Sequence, residues 1–218
     1  MDKKELRKML RAEFGVFFFE SGFCMYNKDT YLKINENILY NVTFEIGSID
    51  FTCAIAMQPL YIKDHSSTTF LHLTFGNRLS RFRVAQREWW SFDEPLKGIG
   101  EIKELLSRNG LPWFDQYGTP EGIVEFISQG KAMEYGLWLY SFFLKQYLGF
   151  SLLYTGHIGE GIQALEDMLS EIKEDAVEWL HEYKSQMTEM TGRIMNHPND
   201  VKLVFDKIIR ENKNVLKI

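Results

Sequence analysis

The stretch NILYNVTFEIGSIDFTCAIAM, residues 37–57, decides the fold. Ile38, Tyr40, Val42, Phe44 and Ile46 alternate with mostly polar neighbours, and Ile49, Phe51, Cys53, Ile55 and Met57 repeat the pattern. A period of two belongs to strands with one buried face. Only Gly47-Ser48 separates the two runs, and glycine in first place suits a two-residue type II′ turn. The expectation is a hairpin of 38–46 with 49–57, with Ile46 opposite Ile49, Phe44 opposite Phe51, Val42 opposite Cys53 and Tyr40 opposite Ile55. That register puts every large apolar side chain on one face, which is what holds a register in place.

Working outward, residues 2–20 read as a helix running into Gly22. Leu6, Met9, Leu10, Phe14, Phe17 and Phe18 recur at three- and four-residue spacing, and Phe19 is expected to broaden that stripe. Residues 23–34, with a turn near Asn27-Lys28-Asp29, are expected to add strands, and 69–83 another. After Pro95 the period changes: Ile99, Ile102, Leu105 and Leu106 predict a helix ending at Asn109-Gly110. Thr119-Pro120 then opens a further helix, Thr as N-cap and Pro in first place. From there the pattern stays helical, with breaks near Gly130, Gly156, Glu174 and Pro198. Within it, 148–169 reads as a helical hairpin in which Gly149 and Gly161 permit close approach. It has the look of one tetratricopeptide-type unit, but no second copy follows at a fixed period. Val177, Leu180, Tyr183, Met187, Met190 and Ile194 form a stripe for packing on a neighbouring helix, within the chain or across a dimer. The fold class is therefore α+β: an antiparallel sheet around the hairpin with an N-terminal helix, then an all-helical C-terminal half. We divide the chain into an α+β part, 1–118, and a helical region, 119–218, packed on it.

At 218 residues, 45% of them hydrophobic, the chain is able to bury a substantial core. Its net charge of −5 is unevenly placed: residues 1–118 carry 15 acidic and 15 basic side chains, and 119–218 carry 15 and 10. A neutral half and an acidic half argue against a dedicated nucleic-acid binder. The two cysteines, Cys24 and Cys53, form no CxxC pair and read as reduced thiols of a cytoplasmic protein. The segment GLWLYSFFLKQYLGFSLLY, 136–154, has the length of a membrane span. Lys145 near its centre costs about 2.5–3.5 kcal/mol in a bilayer, so the segment reads as a buried helix and no membrane partner is expected. The charged N-terminus carries no apolar signal segment.

Chemistry-bearing patterns are sparse. His65, His72, His157, His181 and His197 show no HExxH or similar ligand spacing, so no metal is expected. There is no GxSxG, no P-loop and no GxGxxG; GHIGEG lacks the lysine and the preceding strand. Glu166-Asp167 and Glu174-Asp175 pair carboxylates on what reads as a solvated helical face. The candidate ligand site is a basic strip, Arg78, Arg81, Arg83 and Arg87, followed by Trp89 and Trp90. Guanidinium groups clamp phosphate or carboxylate, and indoles stack on bases. Against this, adjacent residues of an extended chain point to opposite faces, so the two indoles do not share one ligand. The structural reading therefore outweighs the ligand reading: at least one tryptophan anchors the corner, and the arginines pair with the protein's own carboxylates.

Gly22-Phe23, YNVTFEIG with FTCAIAMQPLYI, RLSRF at 78–82, EWWSFDEP at 88–95 and GLPWFDQYGTPEGIVEFI at 110–127 follow in an order that resembles a family of uncharacterised bacterial proteins. The family is a domain of unknown function, number forty-three zero four. The resemblance covers about residues 1–127. It implies an α+β domain with an antiparallel sheet and brings no activity, cofactor or catalytic residue. The leading expectation is a non-enzymatic module that binds another protein, a basic one suited to the acidic helical half, without cofactor. The alternatives are a small-molecule or nucleotide-binding enzyme using Arg78–Arg87, and a homo-oligomer built through helices 176–212.

Overall fold

The computed structural model describes residues 1–63, 75–82, 88–134 and 141–218. Helix α1 (Lys3–Glu20) starts on Asp2, whose carboxylate accepts the Lys4 and Glu5 N–H groups while the Glu5 carboxylate accepts the Asp2 N–H. This reciprocal cap satisfies donors that have no partner within the helix. The helix ends where Gly22 turns to φ +79° and its N–H donates to Phe19 O. Leu6, Leu10, Phe14 and Phe18 are buried, with Met9 and Phe17 at the margin. Phe19 does not join the stripe: it is 78% exposed, because one step beyond Phe18 already rotates it off the sheet.

Five strands follow one another in the antiparallel order β1 (Cys24–Met25), β2 (Thr30–Asn35), β3 (Ile38–Ile46), β4 (Asp50–Pro59) and β5 (Gly76–Arg78). A short β6 (Trp90–Ser91) pairs with β4 at Phe51 and Asp50. Of the strand expected over 69–83, only β5 is strand, and Leu79–Phe82 turn into a 3-10 helix; residues 69–74 and 83 lie outside the described residues.

The hairpin forms with a different register. Ile46 faces Phe51, Phe44 faces Cys53, Val42 faces Ile55 and Tyr40 faces Met57. The loop has moved on by one residue: Gly47 N–H donates to Asp50 O, and Ser48-Ile49 form the tip. Gly47 does not adopt a positive φ, and a Cβ there would collide with the Asp50 carboxylate, so the glycine serves close approach rather than a type II′ turn. Moving the loop by one shifts the pairing by two, which leaves every side chain on its expected face. Ile49 alone loses its place and is 72% exposed. The apolar face packs on α1, with the Phe14 ring tilted against Phe44 at 5.0 Å and Phe18 against Tyr31 at 4.3 Å.

Helix α2 (Pro95–Leu105) does not stop at Asn109-Gly110. It passes through a π turn, Leu106–Gly110, straight into α3 (Leu111–Tyr117). Gly110 keeps a right-handed helical backbone, and its missing side chain lets Leu106 and Leu79 close to within 3.2–3.3 Å of where a Cβ would stand. Tertiary packing here overrides a sequence pair that ordinarily ends helices. The helix stops instead at Gly118, whose carbonyl accepts the Tyr40 hydroxyl at 2.9 Å.

Thr119 caps α4 (Pro120–Ser128) through the Gly122 N–H. Then come α5 (Lys131–Glu134), α6 (Ser141–Tyr154), α7 (Ile158–Ser170), α8 (Glu178–Asn196) and α9 (Val201–Leu216). Of the helix expected over 136–154, residues 136–140 lie outside the described residues; the rest is helical, and Lys145 meets Glu171 at 2.6 Å. No helix among the described residues is long and apolar enough to cross a membrane. The α6–α7 hairpin closes on its two glycines: a Cβ on Gly161 would stand 2.8 Å from Leu153 N and 2.9 Å from Gly149 O. Most of the α8 stripe packs within the chain: Tyr183, Met187 and Ile194 are buried and Leu180 and Met190 partly so, while Val177, just ahead of the helix, is exposed. Helix α9 returns to the sheet, where the Asn212 amide donates to Leu60 O at 2.8 Å and Ile62 O at 3.0 Å. One cluster of buried side chains runs from Leu6 through Phe114 and Leu153 to Leu216, so both halves share it.

Candidate functional site

The basic strip resolves into a corner of the fold. Arg78 at the end of β5 donates to the Glu45 carboxylate through Nε and Nη2, at 3.3 and 3.0 Å, and to Glu88 through Nη1 at 2.8 Å. Its guanidinium lies 5.1 Å from the centre of the Trp89 ring, which is half-buried. Burial works against the charge, but the hydrogen bonds to Glu45 and Glu88 outweigh it and raise the Arg78 pKa. Ion pairs as exposed as these are worth about 0–1 kcal/mol each. Their consequence is electrostatic: two carboxylates over-compensate one guanidinium, which leaves Arg78 no charge to offer an anion. Arg81 is exposed on the adjoining 3-10 turn; Arg83 and Arg87 lie outside the described residues.

The tryptophans diverge as adjacent strand residues must. Trp90 is 5% exposed, packs 6.4 Å from Phe51, and donates Nε1–H to Glu101 at 2.8 Å. Gly98 of α2 makes room for it, since a Cβ there would stand 2.9 Å from both Trp90 Cβ and Phe51 Cζ. The two indoles therefore do not form one stacking platform, and the structure brings Arg78 and Trp89 together without Trp90.

Other chemistry is equally quiet. Burial pushes the Cys53 thiol up, away from the thiolate, while Cys24 is exposed. No group of three His, Cys, Asp or Glu able to hold a metal occurs among the described residues; His65 and His72 lie outside them.

The feature missed in the sequence lies at the opposite edge of the sheet. A cleft of ≈ 800 Å³ opens between β1–β2 and the end of α9, walled by Met25, Tyr26, Leu32, Ile34, Leu216 and Ile218. Four of these, Met25, Tyr26, Ile34 and Ile218, are exposed large apolar side chains. Cys24 and the cations Lys33 and Lys217 border the same cleft. The strand edge beside it is open. Tyr26 N–H donates to Thr30 O and Phe44 N–H to Asp29 O, so alternation turns the N–H and C=O of Thr30, Leu32 and Ile34 toward β1. The register places Cys24 opposite Leu32 and would place Gly22 opposite Ile34, but Gly22 is bent back onto α1. Ile34, paired with Leu39 of β3 on one side, is left without a strand partner on the β1 side. The one signal in the sequence was Gly22 itself, read there only as a helix stop.

Comparison with protein-family models, with curated proteins and with solved structures finds no match.

Proposed function

We propose that the chain is a non-enzymatic protein-binding module, cytoplasmic in location, that takes an extended segment of a partner along the β1–β2 edge. The observation that carries this reading is the coincidence of an apolar cleft with an unpaired strand edge at Ile34. Contiguous exposed apolar surface marks interaction sites, and an open edge offers backbone hydrogen bonds that a peptide strand completes. Lys33 and Lys217 at the rim favour acidic residues flanking the apolar core of that segment. The free thiols Cys24 and Cys53 suit a reducing compartment. The resemblance of residues 1–127 to a domain of unknown function supplies no activity, so the reading rests on this geometry. The nucleotide-enzyme alternative draws no support from Arg78, which its own carboxylates occupy.

Selection from a random-peptide display library tests the idea. Enriched peptides should alternate apolar residues, and Ile34→Pro, which deletes the edge N–H, and Met25→Asp should each abolish their binding. Peptides that bind both variants as tightly as the original chain would sink the proposal.

A second reading places a basic partner on the helical half. From Glu160 to Glu189 the exposed carboxylates are Glu160, Glu166, Asp167, Glu171, Glu174, Asp175, Glu178, Glu182 and Glu189, against the cations Lys173 and Lys184. Salt-sensitive association with a basic protein that survives Glu178→Lys/Glu182→Lys would refute it.

A further inference from the structure

Helix α1 carries a second, polar face beside its apolar stripe. Lys4, Lys8 and Arg11 follow at four- and three-residue spacing, which aligns them on one side of the helix. The β1–β2 turn brings Lys28 to the same place, and Arg7 completes a groove of ≈ 600 Å³ with five cations in its walls. The two carboxylates in those walls, Asp2 and Glu5, and the nearby Asp29 are already engaged. Asp2 and Glu5 cap the helix, and Asp29 accepts Arg7 Nε at 2.7 Å and Nη2 at 3.0 Å. The Arg7 pKa is raised, chiefly by that hydrogen bond. No carboxylate among the described residues lies within ion-pair distance of Lys4, Lys8, Arg11 or Lys28. Elsewhere Arg78, Lys97, Lys103, Arg108 and Lys145 all find partners.

Helix stability does not explain this placement. Cations favour the C-terminal end of a helix dipole, yet they crowd the N-terminal half of α1, and its last turn carries none. Like charges one turn apart also repel. A net-acidic chain that gathers unpaired cations into one concavity has a surface whose cost an anionic ligand removes. We propose that the groove between α1 and the β1–β2 turn binds a compact, multiply phosphorylated anion, free or as a lipid headgroup. Three of the four uncommitted cations are lysines, point charges suited to phosphate rather than to the planar two-point recognition of carboxylate that arginine provides. Compactness follows from extent: residues 4 to 11 span about 10 Å of helix, and Glu13 and Glu20 then turn the same element acidic. The Asp2–Glu5 cap already occupies the N–H groups of Asp2, Lys4 and Glu5, so side chains make the main contacts.

Calorimetric titration of the full chain with inorganic tripolyphosphate and with inositol hexakisphosphate tests the site, with citrate as the carboxylate comparator. Vesicles with and without phosphatidylinositol bisphosphate form the second arm. Saturable one-to-one binding of the soluble probes assigns a free ligand, and binding confined to the phosphoinositide vesicles assigns a headgroup; either supports the proposal. Lys8→Glu/Arg11→Glu, both on exposed positions, should weaken binding by about tenfold or more through loss of charge-assisted hydrogen bonds. The same charge change on α9, Lys202→Glu/Arg210→Glu, should leave it unchanged. No saturable binding in either arm, citrate binding as tightly as tripolyphosphate, equal loss in the α9 control, or tighter binding of duplex DNA would each overturn it.

Discussion

Gly161→Ala and Gly192→Ala are chemically the same change, both in helices, and the structure gives them opposite signs. At Gly192 of α8 a Cβ meets nothing within 4 Å. The substitution there gains the helix preference of alanine over glycine and should stabilise by about 1 kcal/mol. At Gly161 the Cβ would stand 2.7 Å from Leu153 Cγ, 2.8 Å from Leu153 N and 2.9 Å from Gly149 O. Ordinary carbon contacts sit at about 3.5–4.0 Å, so α6 and α7 must part by roughly 0.7–1 Å. Two of the three obstacles are backbone atoms, which no rotamer change moves aside. In an interior already packed to crystal density, that separation costs about 1–3 kcal/mol. The shared alanine preference cancels in the comparison, leaving Gly161→Ala lower than Gly192→Ala by about 1–3 kcal/mol. Urea unfolding measures the difference directly, and thermal melts should show about 2–4 °C for each kcal/mol at this chain length. If the two variants agree within about 0.5 kcal/mol, the close-contact account of the α6–α7 crossing is wrong.

Replacing the fully buried Phe51 with Ala should lower unfolding free energy by about 3–5 kcal/mol in the same urea assay; a loss below about 1 kcal/mol would show that the Phe51–Trp90–Phe92 cluster is not core. Trp90→Ala should cost a similar amount, whereas Trp89→Ala should cost less than about 1.5 kcal/mol, so a reversed order would refute the assignment of the two faces. Burial raises the Cys53 thiol above its ordinary 9.0 and the Tyr61 phenol above its ordinary 10.0, so the folded chain keeps protons that the unfolded chain releases. Stability should thus be complete below about pH 9 and fall as pH rises beyond it, by up to about 1.4 kcal/mol per pH unit per group, and Tyr61→Phe should flatten the decline; an unchanged slope counts against it. Cys24 should react with a thiol reagent in the native chain and Cys53 only on unfolding, so two equally fast native thiols would contradict the burial of β4.

What the sequence disclosed depended on how local the physics is. The hairpin faces were legible because a period of two is a property of adjacent residues, and an error of two in register preserves it. The register itself was not, because it turned on where the Asp50 carboxylate comes to rest against Gly47. Thr119-Pro120 and Gly156 acted as written, since caps and positive-φ stops need only their immediate neighbours. Asn109-Gly110 did not, because Leu79 and Ile55 converge on Gly110 from elsewhere in the chain. The same division governs the sites. An arginine strip is visible in one line of sequence, yet the partners of Arg78 come from Glu45 on β3 and Glu88 beyond the strip. The groove on α1 and the cleft at Ile34 arise from juxtapositions, Lys28 with Lys8 and Gly22 with Ile34, that no run of consecutive residues announces.

The Asn212 amide holds the carbonyls of Leu60 and Ile62 across 152 and 150 residues of chain. On a ribosome adding about 5–20 residues per second, those carbonyls are made roughly 8–30 s before the side chain that satisfies them. Throughout that interval these two carbonyls lack the Asn212 amide, although the Leu60 N–H already has Asn37 O, and the sheet cannot be sealed at that end by anything α9 supplies. Assembly of the α1–sheet layer is thereby separated in time from closure by the last helix, so a nascent chain halted before α9 should carry a formed hairpin and an unfinished rim.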